Sequence, residues 1–332
     1  MREMPTFLQI EPVGQCNLKC RMCPIQFRTD GEKGALAFID FDNFRNLVNQ
    51  FPEISELHLQ GLGEPMMHPR FFDMVEFASR RGIKVTTNSN LTLFTRRRAE
   101  RCVTSGLETL HVSVDGATKE TYELVRVGSD FDKVISNVRL LKDIKAELAS
   151  DLPHLRLVFV LMRLNLHELP GLVQLASNLG VREIFAQHLC HDFKESTLPV
   201  QYHPMRDFVD EQTLFNESEA RIGHFFDKAM AAASELQVDL RLPSPRPTTR
   251  TLTSRGRERC DWPYRGMYFS YDGQAMPCCM IATPDRFNFG SAVVTGAEAL
   301  WTGPAYEEFR RRLESDDPPE ICSSCAVYNG TF

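Results

Sequence analysis

Three cysteines lie close together near the start of the chain, in the stretch CNLKCRMC that contains Cys16, Cys20 and Cys23. Thiolates are soft ligands that suit zinc ions and iron–sulfur clusters. A cubane [4Fe–4S] cluster has four irons, so three nearby cysteines leave one iron open to a group from outside the protein. A zinc site with a distant fourth ligand is the alternative, although zinc sites usually pair cysteines as CxxC. The spacing therefore favours an iron–sulfur cluster.

A second group of cysteines lies in the last quarter of the chain. The ten cysteines of a chain that carries no secretory signal are not expected to form a disulfide framework. Their uneven placement instead predicts metal or redox chemistry at two places. The second group consists of Cys260, Cys278, Cys279, Cys322 and Cys325, and Cys102 and Cys190 lie between the two groups.

The composition is that of an ordinary globular protein and limits the possible partners. The 332 residues carry a formal net charge of −6, so we expect no nucleic-acid partner. No apolar run is long enough to span a membrane, and the N-terminus lacks the apolar stretch of a signal peptide. We therefore expect a cytoplasmic protein with no membrane partner.

The first 190 residues repeat one pattern, in which a short apolar strand is followed by a turn and an amphipathic helix. Six such repeats predict an α/β fold, a partial (β/α)6 TIM-like barrel whose parallel sheet is covered by helices. Right-handed crossovers bring the carboxyl ends of all the strands to one rim. The predicted strands are Phe7–Glu11, Leu57–Gln60, Lys84–Thr87, Leu110–Val114, Leu155–Met162 and Glu183–Gln187.

Four motifs directly follow consecutive predicted strands. The first cysteine group follows the first strand, GLGEP (61–65) the second, NSN (88–90) the third and DG (115–116) the fourth. We therefore expect these motifs to meet at the rim where barrel enzymes build their active sites.

Beyond residue 190 the pattern changes. Residues 191–259 combine a helical stretch from about Met205 to Leu236 with a linker rich in Pro, Thr and Arg. The segment 260–332 is short and loop-rich, so we expect a metal to stabilise it. The predicted domains are a barrel core over 1–190, a helical bridge and linker over 191–259, and a small C-terminal domain over 260–332.

The order of these motifs resembles that of the radical S-adenosylmethionine (SAM) enzymes. CNLKCRMC matches the CxxxCxxC signature of that family, and GLGEP resembles its GGEP motif. HVSVDG resembles the fourth-strand segment that contacts ribose, and YELVRVGSDFDKVISNVRLL resembles the helical region after it. The resemblance covers most of the chain. It implies that SAM binds the open iron, that one electron from the cluster cleaves it, and that a 5′-deoxyadenosyl radical takes a hydrogen atom from the substrate.

The resemblance also implies roles for single residues. The first three cysteines would ligate the cluster, and the GLGEP motif would approach the SAM amino group, with Glu64 as a carboxylate acceptor. Arg126 would pair with the SAM carboxylate, or else be a surface charge. Asp115 would face the ribose, or else belong to a plain turn. Met22 replaces the family's usual aromatic residue and can still cover the adenine. The predicted SAM contacts are Met22, Gly61, Gly63, Glu64, Asn88, Ser113, Asp115 and Arg126.

The C-terminal segment resembles the auxiliary-cluster domain of many radical SAM enzymes, of the SPASM or twitch type. The matching pieces are a cysteine before an aromatic stretch, YDG followed by PCC, an LW helix and a final CxxC. The resemblance implies a second [4Fe–4S] cluster, with Cys279 as a buried neighbour or an alternative ligand. A structural zinc ion at the same place is the alternative. The expected ligands are Cys260, Cys278, Cys322 and Cys325.

The stretch QHLCHD (187–192) follows the sixth predicted strand and carries candidate catalytic groups. Cys190 could return a hydrogen atom to a substrate radical, and His188 or His191 could deprotonate a substrate hydroxyl. A buried cysteine with surface histidines is the favoured alternative.

These features predict a radical SAM oxidoreductase of the dehydrogenase type, similar to the short, twitch-bearing alcohol dehydrogenases of antibiotic biosynthesis. Four protein ligands saturate the auxiliary cluster, which suits it to accept one electron during oxidation of a small polar molecule such as a sugar or aminocyclitol. We expect an electron donor such as flavodoxin or ferredoxin, and no leader-binding domain before Cys16. The alternatives are a peptide- or protein-modifying maturase, a redox-neutral epimerase that uses Cys190, and a zinc-stabilised binding protein without catalysis.

Overall fold

The computed structural model describes residues 3–28, 37–189, 193–246 and 260–330. Cys190, His191 and most of the predicted linker lie outside these residues. Within them, nine strands form one sheet. The strands are β1 (Phe7–Ile10), β2 (Glu56–Leu59), β3 (Lys84–Ser89), β4 (Leu107–Ser113), β5 (His154–Leu161), β6 (Glu183–His188), β7 (Asp239–Arg241), β8 (Gly266–Phe269) and β9 (Ala275–Met276).

The order of the strands confirms the predicted α/β barrel-like fold. Across the sheet it is β7-β6-β5-β4-β3-β2-β1-β8-β9, and neighbours are parallel except for the antiparallel pair β8–β9. The six predicted strands correspond to β1 to β6. Their carboxyl ends therefore share one rim, as right-handed crossovers require.

Helices cover the outer face of the sheet, and their ends carry the expected signals. Asp40, Thr95, Thr118 and Ser218 accept backbone N–H bonds at helix starts, and Gly180 ends one helix at φ 62°. The helices are α1 (Phe41–Asn49), α2 (Phe71–Ser79), α3 (Arg96–Thr104), α4 (Lys119–Val125), α5 (Phe131–Glu147), α6 (Leu169–Leu179), α7 (His203–Gln212), α8 (Glu219–Leu236), α9 (Trp262–Arg265), α10 (Ala292–Thr295), α11 (Ala297–Trp301), α12 (Pro304–Leu313) and α13 (Glu320–Ser323).

The region after β6 differs from the prediction. The single helix expected from Met205 to Leu236 is two helices, because α7 ends before Thr213 and Ser218 caps the start of α8. The predicted bridge also contains β7, which pairs in parallel with β6 and extends the sheet. Three residues are too few to show a strand periodicity in the sequence.

The C-terminal segment adds to the same sheet at its other side. β8 pairs in parallel with β1, in a register that matches Phe7 with Gly266 and Ile10 with Phe269. The segment with the second cysteine group is therefore joined to the barrel by main-chain hydrogen bonds. No helix of the described residues is long and apolar enough to cross a membrane.

The two faces of the sheet differ in polarity. In β3, Val85, Thr87 and Ser89 are buried, while the alternate residues Thr86 and Asn88 are partly open on the inner face. Barrel interiors are usually filled by bulky branched side chains. Here the inner face carries polar groups and encloses space, which makes it the place to look for a site.

Candidate functional site

The first cysteine group lies on an extended loop after β1. The backbone N–H groups of Lys19 and Arg21 donate to the carbonyls of Val127 and Val125, at 3.0 and 2.9 Å. Extended backbone alternates its side chains, so Cys20 is buried between these two exposed residues. The turn Pro24–Phe27 follows directly and redirects the chain.

The three thiols of this group line a cavity of about 190 Å³ at the rim. Burial raises the pKa of Cys16 to about 12, and it raises the pKa values of Cys20 and Cys23 in the same direction. Thiolates in this place therefore need a positive partner, which bound iron provides. The predicted SAM contacts that line the same cavity are Met22, Gly61, Gly63, Glu64, Asn88, Ser113 and Arg126.

The glycines of GLGEP are required by packing against the first strand. A Cβ on Gly61 would overlap the Glu11 side chain, and one on Gly63 would overlap the backbone carbonyl of Val13. Because glycine has no side chain, this loop can lie against the residues that follow β1. The same loop forms one wall of the cavity, so the approach of Gly61 and Gly63 to a cofactor stays a prediction.

Glu64 joins the ends of two neighbouring strands. Its carboxylate accepts hydrogen bonds from the backbone N–H of Met66 at 3.1 Å, from the Ser89 hydroxyl at 2.8 Å and from the backbone N–H of Asn90 at 2.8 Å. Burial nevertheless raises the pKa of Glu64. The carboxylate can accept further bonds at the cavity wall, which suits a cationic amino group.

Arg126 and Asp115 form a buried ion pair, with 2.7 Å between Nη2 and Oδ2. Arg126 Nη1 also donates to Cys20 Sγ at 3.8 Å. Burial opposes the charge, but Asp115 and Cys20 together raise the pKa of Arg126. Arg126 is 8% exposed, so its alternative as a surface charge is wrong. Asp115 lies fully buried behind Arg126, where it also accepts from the backbone N–H of Val160, and this position differs from the predicted ribose contact.

Two polar atoms at the cavity lack partners among the described residues. Asn88 Oδ1 and Arg126 Nε are both buried without a hydrogen-bond partner there. A buried orphan acceptor and a buried orphan donor are what a bound polar ligand would satisfy. Together with three thiols, the cavity fits an iron–sulfur cluster carrying SAM.

His188 stands at the end of β6 and lines the same cavity. Its Nε2 hydrogen-bonds the carbonyl of Ser244 at 2.7 Å, and its ring lies 4.8 Å from Phe215. Burial lowers its pKa, so the imidazole is neutral near pH 7. It is 1% exposed, which excludes the surface position that the sequence favoured. Cys190 and His191 lie outside the described residues, so their roles stay predictions.

The C-terminal cysteines separate into two environments. Cys260, Cys278, Cys322 and Cys325 line one small apolar cavity, with Trp262, Ile281, Phe309 and Ile321 among its walls. Burial raises the pKa of Cys278, and the neighbouring thiols raise it further. Cys279 instead lines a larger space inside the barrel. The structure therefore places the four predicted ligands of the auxiliary cluster around one cavity, while Cys279 faces the larger space and lies close enough to Cys278 to raise the pKa of that thiol.

The larger space is a chamber of about 640 Å³ inside the barrel. It adjoins the rim cavity, with which it shares walls at Gln60, Asn88 and Gln187. From the C-terminal segment, Cys279 and Met280 face the same chamber. The chamber thus lies between the two cysteine groups. No motif in the sequence predicted its walls, which consist mainly of Phe7, Gln9, His58, Thr86, His111, Arg156, Val158, Phe185, Arg241, Asp261, Trp262, Arg265 and Tyr268.

A signal for the chamber existed in the sequence. In strands such as LHLQ and ETLHVS, polar residues alternate with apolar ones at period two. Parallel strands buried on both faces normally read as continuous apolar runs. A polar alternation in such a strand indicates an inner face that meets water or ligand.

None of the described cysteines forms a disulfide bond. Among the described residues, no three His, Cys, Asp or Glu side chains converge closely enough to hold one metal ion. Each cysteine group instead lines a cavity. Soft thiolate donors spread around a cavity are the donor set of an iron–sulfur cluster.

Two family models match the chain. The model described as the Radical SAM superfamily matches residues 10–171, and SPASM, described as an iron-sulfur cluster-binding domain, matches residues 260–326. The first range contains the rim cysteines and the motifs that meet at the cavity. The second contains all five C-terminal cysteines.

Individual proteins are similar over different lengths. The chain is 25% identical to the "Tungsten-containing aldehyde ferredoxin oxidoreductase cofactor-modifying protein" of Pyrococcus furiosus, covering 97% of this chain and 87% of that protein. It is 26% identical to an "AdoMet-dependent heme synthase" of Methanosarcina barkeri, over 54% of this chain and 49% of that protein. The crystal structure of Streptococcus suis SuiB bound to precursor peptide SuiA has a TM-score of 0.68 at 14% identity, covering 99% of this chain and 71% of that one. This last likeness shows a shared fold.

Proposed function

The chain belongs to the radical SAM superfamily and carries a C-terminal SPASM iron–sulfur domain, and on that premise we propose that it oxidises a small polar molecule by two electrons. Bound SAM, its [4Fe–4S] cluster and an auxiliary cluster supply reductive SAM cleavage, hydrogen abstraction from a substrate C–H bond and storage of one electron. Enzymes of this family need an electron donor, for which we propose a flavodoxin or ferredoxin. The substrate class that we propose is a sugar or an aminocyclitol.

The residues at the rim bind and orient the cofactors in this proposal. Cys16, Cys20 and Cys23 hold the first cluster, and Arg126 provides the positive charge beside it. Glu64 accepts from the SAM amino group, and Asn88 Oδ1 accepts from a ligand donor at the boundary with the chamber. Burial excludes water from these groups, which protects a reactive species from side reactions.

The observation that carries the proposal is the position of the chamber. It is bounded at the rim by the SAM cavity and on another side by the C-terminal segment at Cys279 and Met280. A substrate held there would lie next to the SAM cavity at one end, and at the other the chamber shares Trp262, Met280 and Val327 with the cavity that the four auxiliary cysteines line. After the hydrogen atom, oxidation needs the substrate to lose one proton and one electron, and a cluster held by Cys260, Cys278, Cys322 and Cys325 would be the electron acceptor that we propose.

The size of the chamber supports a small molecule over a peptide. A volume of about 640 Å³ is in the range of pockets that enclose small ligands. The relative that covers 97% of this chain is named as a cofactor-modifying protein, and a cofactor is also a small molecule. The likeness to SuiB concerns the fold and leaves the peptide substrate as an outcome for the experiment.

The test separates the two cysteine groups after anaerobic reconstitution. The wild type should bind about eight irons, as two [4Fe–4S] clusters require. A C322A/C325A variant should bind about four, still form 5′-deoxyadenosine from SAM and reductant, and give no oxidised product. C102A is the matched control, because Cys102 is fully buried on α3 and belongs to neither group. It should behave as the wild type.

The substrate is sought by stimulation of 5′-deoxyadenosine formation. We expect the fraction of a cell extract below 1 kDa to stimulate the wild type, and mass spectrometry to show a product two hydrogens lighter than its precursor. Stimulation by peptides alone would contradict a small substrate. A C322A/C325A variant that forms as much oxidised product as C102A would contradict electron transfer to the auxiliary site.

A further inference from the structure

The chamber carries a positive charge that has no counterpart in the reaction proposed above. Three arginines line it, and two of them are paired. Arg156 Nε donates to Glu183 at 2.9 Å, and Arg265 lies 3.7 Å from Asp261. The third is Arg241, and within the described parts of the chain no carboxylate lies at ion-pairing distance from it.

Arg241 is an exposed residue at the edge of the chamber and lies beside an aromatic ring. The register of β6 with β7 sets Arg241 beside Phe185, and its guanidinium lies 5.0 Å from the centroid of that ring. Leu240, the preceding residue, is buried on the outer face, so Arg241 belongs to the inner face. A stacked guanidinium keeps its planar fork of donors oriented, which suits bidentate binding of an oxyanion.

The other titratable groups facing the chamber do not offset this charge. Burial lowers the pKa of His58 to about 4 and that of His111 to about 3, so both imidazoles are neutral near pH 7. Burial also raises the pKa of Tyr268, which keeps its hydroxyl protonated as a donor. Among the described residues that line the chamber, the charges are therefore two neutral pairs and the Arg241 guanidinium, which has no carboxylate partner there.

We propose, building on the function above, that the substrate carries a carboxylate or phosphate group that Arg241 binds. Arg241 lies beside Phe185 on β6. Gln187 follows two residues later on the same strand and lines both the chamber and the rim cavity. Two residues of a strand span roughly 7 Å. The anionic group therefore lies about 7 Å from the level where the reacting C–H bond meets the SAM cavity, a separation of several bonds.

The test measures binding of two simple anions, inorganic phosphate and malonate, to the reconstituted holoprotein by isothermal titration calorimetry. Neither SAM nor reductant is present, so the result is independent of SAM cleavage and of the oxidation proposed above. We expect R241Q to weaken binding at least tenfold. R241K should fall between R241Q and the wild type, because it keeps the charge and loses the fork. Higher salt should weaken binding to the wild type.

The matched control is R182Q. Arg182 is exposed at the start of the same β6–β7 region and lies outside the chamber, where it donates to the carbonyl of Gln237 at 3.5 Å. This variant should bind both anions as the wild type does. Binding of phosphate alone would assign a phosphate ester, and binding of malonate alone a carboxylate. No binding to the wild type, equal affinity in R241Q, or an equal loss in R182Q would overturn the proposal.

Discussion

Glu11 and Arg28 form a buried ion pair beneath the glycine-rich loop, and removing the carboxylate charge tests what that pair contributes. Arg28 Nη1 lies 3.0 and 2.9 Å from the two carboxylate oxygens, and the side chains are 1% and 0% exposed. Glu11 Oε1 also accepts from the backbone N–H of Leu62 at 2.9 Å. Leu62 lines both the rim cavity and the chamber, so the pair supports the wall of the site.

The E11Q variant removes the carboxylate charge that faces the buried Arg28 guanidinium. Removing one partner of a buried pair destabilises a protein by about 3–5 kcal/mol, whereas an exposed pair contributes about 0–1 kcal/mol. We therefore expect E11Q to lower the free energy of unfolding by about 3–5 kcal/mol and to weaken SAM binding. The matched control is D42N, because the Arg45–Asp42 pair is 48% and 77% exposed. It should change the free energy of unfolding by less than about 1 kcal/mol.

Urea denaturation of the anaerobic holoprotein measures the stability, and calorimetry measures the affinity for SAM. An E11Q/R28Q variant should lose less than the sum of the losses in E11Q and R28Q, because the two side chains interact directly. A loss in E11Q as small as that in D42N would refute the burial argument. A large loss of stability with unchanged SAM affinity would refute the connection between the pair and the loop.

Two further predictions concern the loop and the chamber. G63A should weaken SAM binding more than tenfold, because its Cβ would overlap the backbone carbonyl of Val13 and lie 2.6 Å from that of Gln15. Calorimetry measures the affinity for SAM. The control G223A should bind SAM as the wild type does, because no atom lies within 4 Å of a Cβ at that position. The free energy of unfolding should fall as the pH decreases from about 6.5 to 4. In the folded protein, His58 and His111 have pKa values of about 4 and 3, so they stay neutral in this range. The same histidines bind protons in the unfolded chain, which stabilises the unfolded state. Because solvent in the chamber screens these charges, we expect the free energy of unfolding to fall by about 1–3 kcal/mol. Urea denaturation of a H58N/H111N variant should show a smaller fall over the same pH range. An equal fall in this variant would contradict the role of the two histidines.

The rim of the barrel was predictable from the sequence, and the chamber below it was not. The motifs after β1, β2 and β3 meet at one cavity because parallel strands share a direction, which is a property that spacing reveals. The resemblance of HVSVDG to a ribose-contacting segment implied that Asp115 faces the ribose, yet Asp115 is buried against Arg126. Asp115 and Arg126 are eleven positions apart, so their pairing depends on the path of α4 and of the loop before it. The local sequence pattern does not determine that path.

The C-terminal segment shows a similar limit. Its cysteines predicted a second cluster, but β8 has only four residues and joins β1 from the far end of the chain. A strand that short carries little periodicity, and its partner is more than 250 residues away, so no local signal identifies the pair. β7 has only three residues and likewise shows no periodicity, so the sequence placed these residues in the bridge.

The pairing of β8 with β1 explains how two cysteine groups so far apart in sequence can lie on either side of one chamber. The register fixes Gly266 beside Phe7 and Phe269 beside Ile10, and the first cysteine loop begins a few residues after Ile10. Cys260 precedes β8 and Cys278 follows it, so the main-chain hydrogen bonds of this strand set the auxiliary cysteines relative to the rim. Electron transfer between two sites depends on their separation, and a separation set by sheet hydrogen bonds is far more constant than one set by side chains on loops. For the reaction proposed above, in which one electron passes from the substrate to the auxiliary site, β8 would fix the distance between the two sites by its place in the barrel sheet.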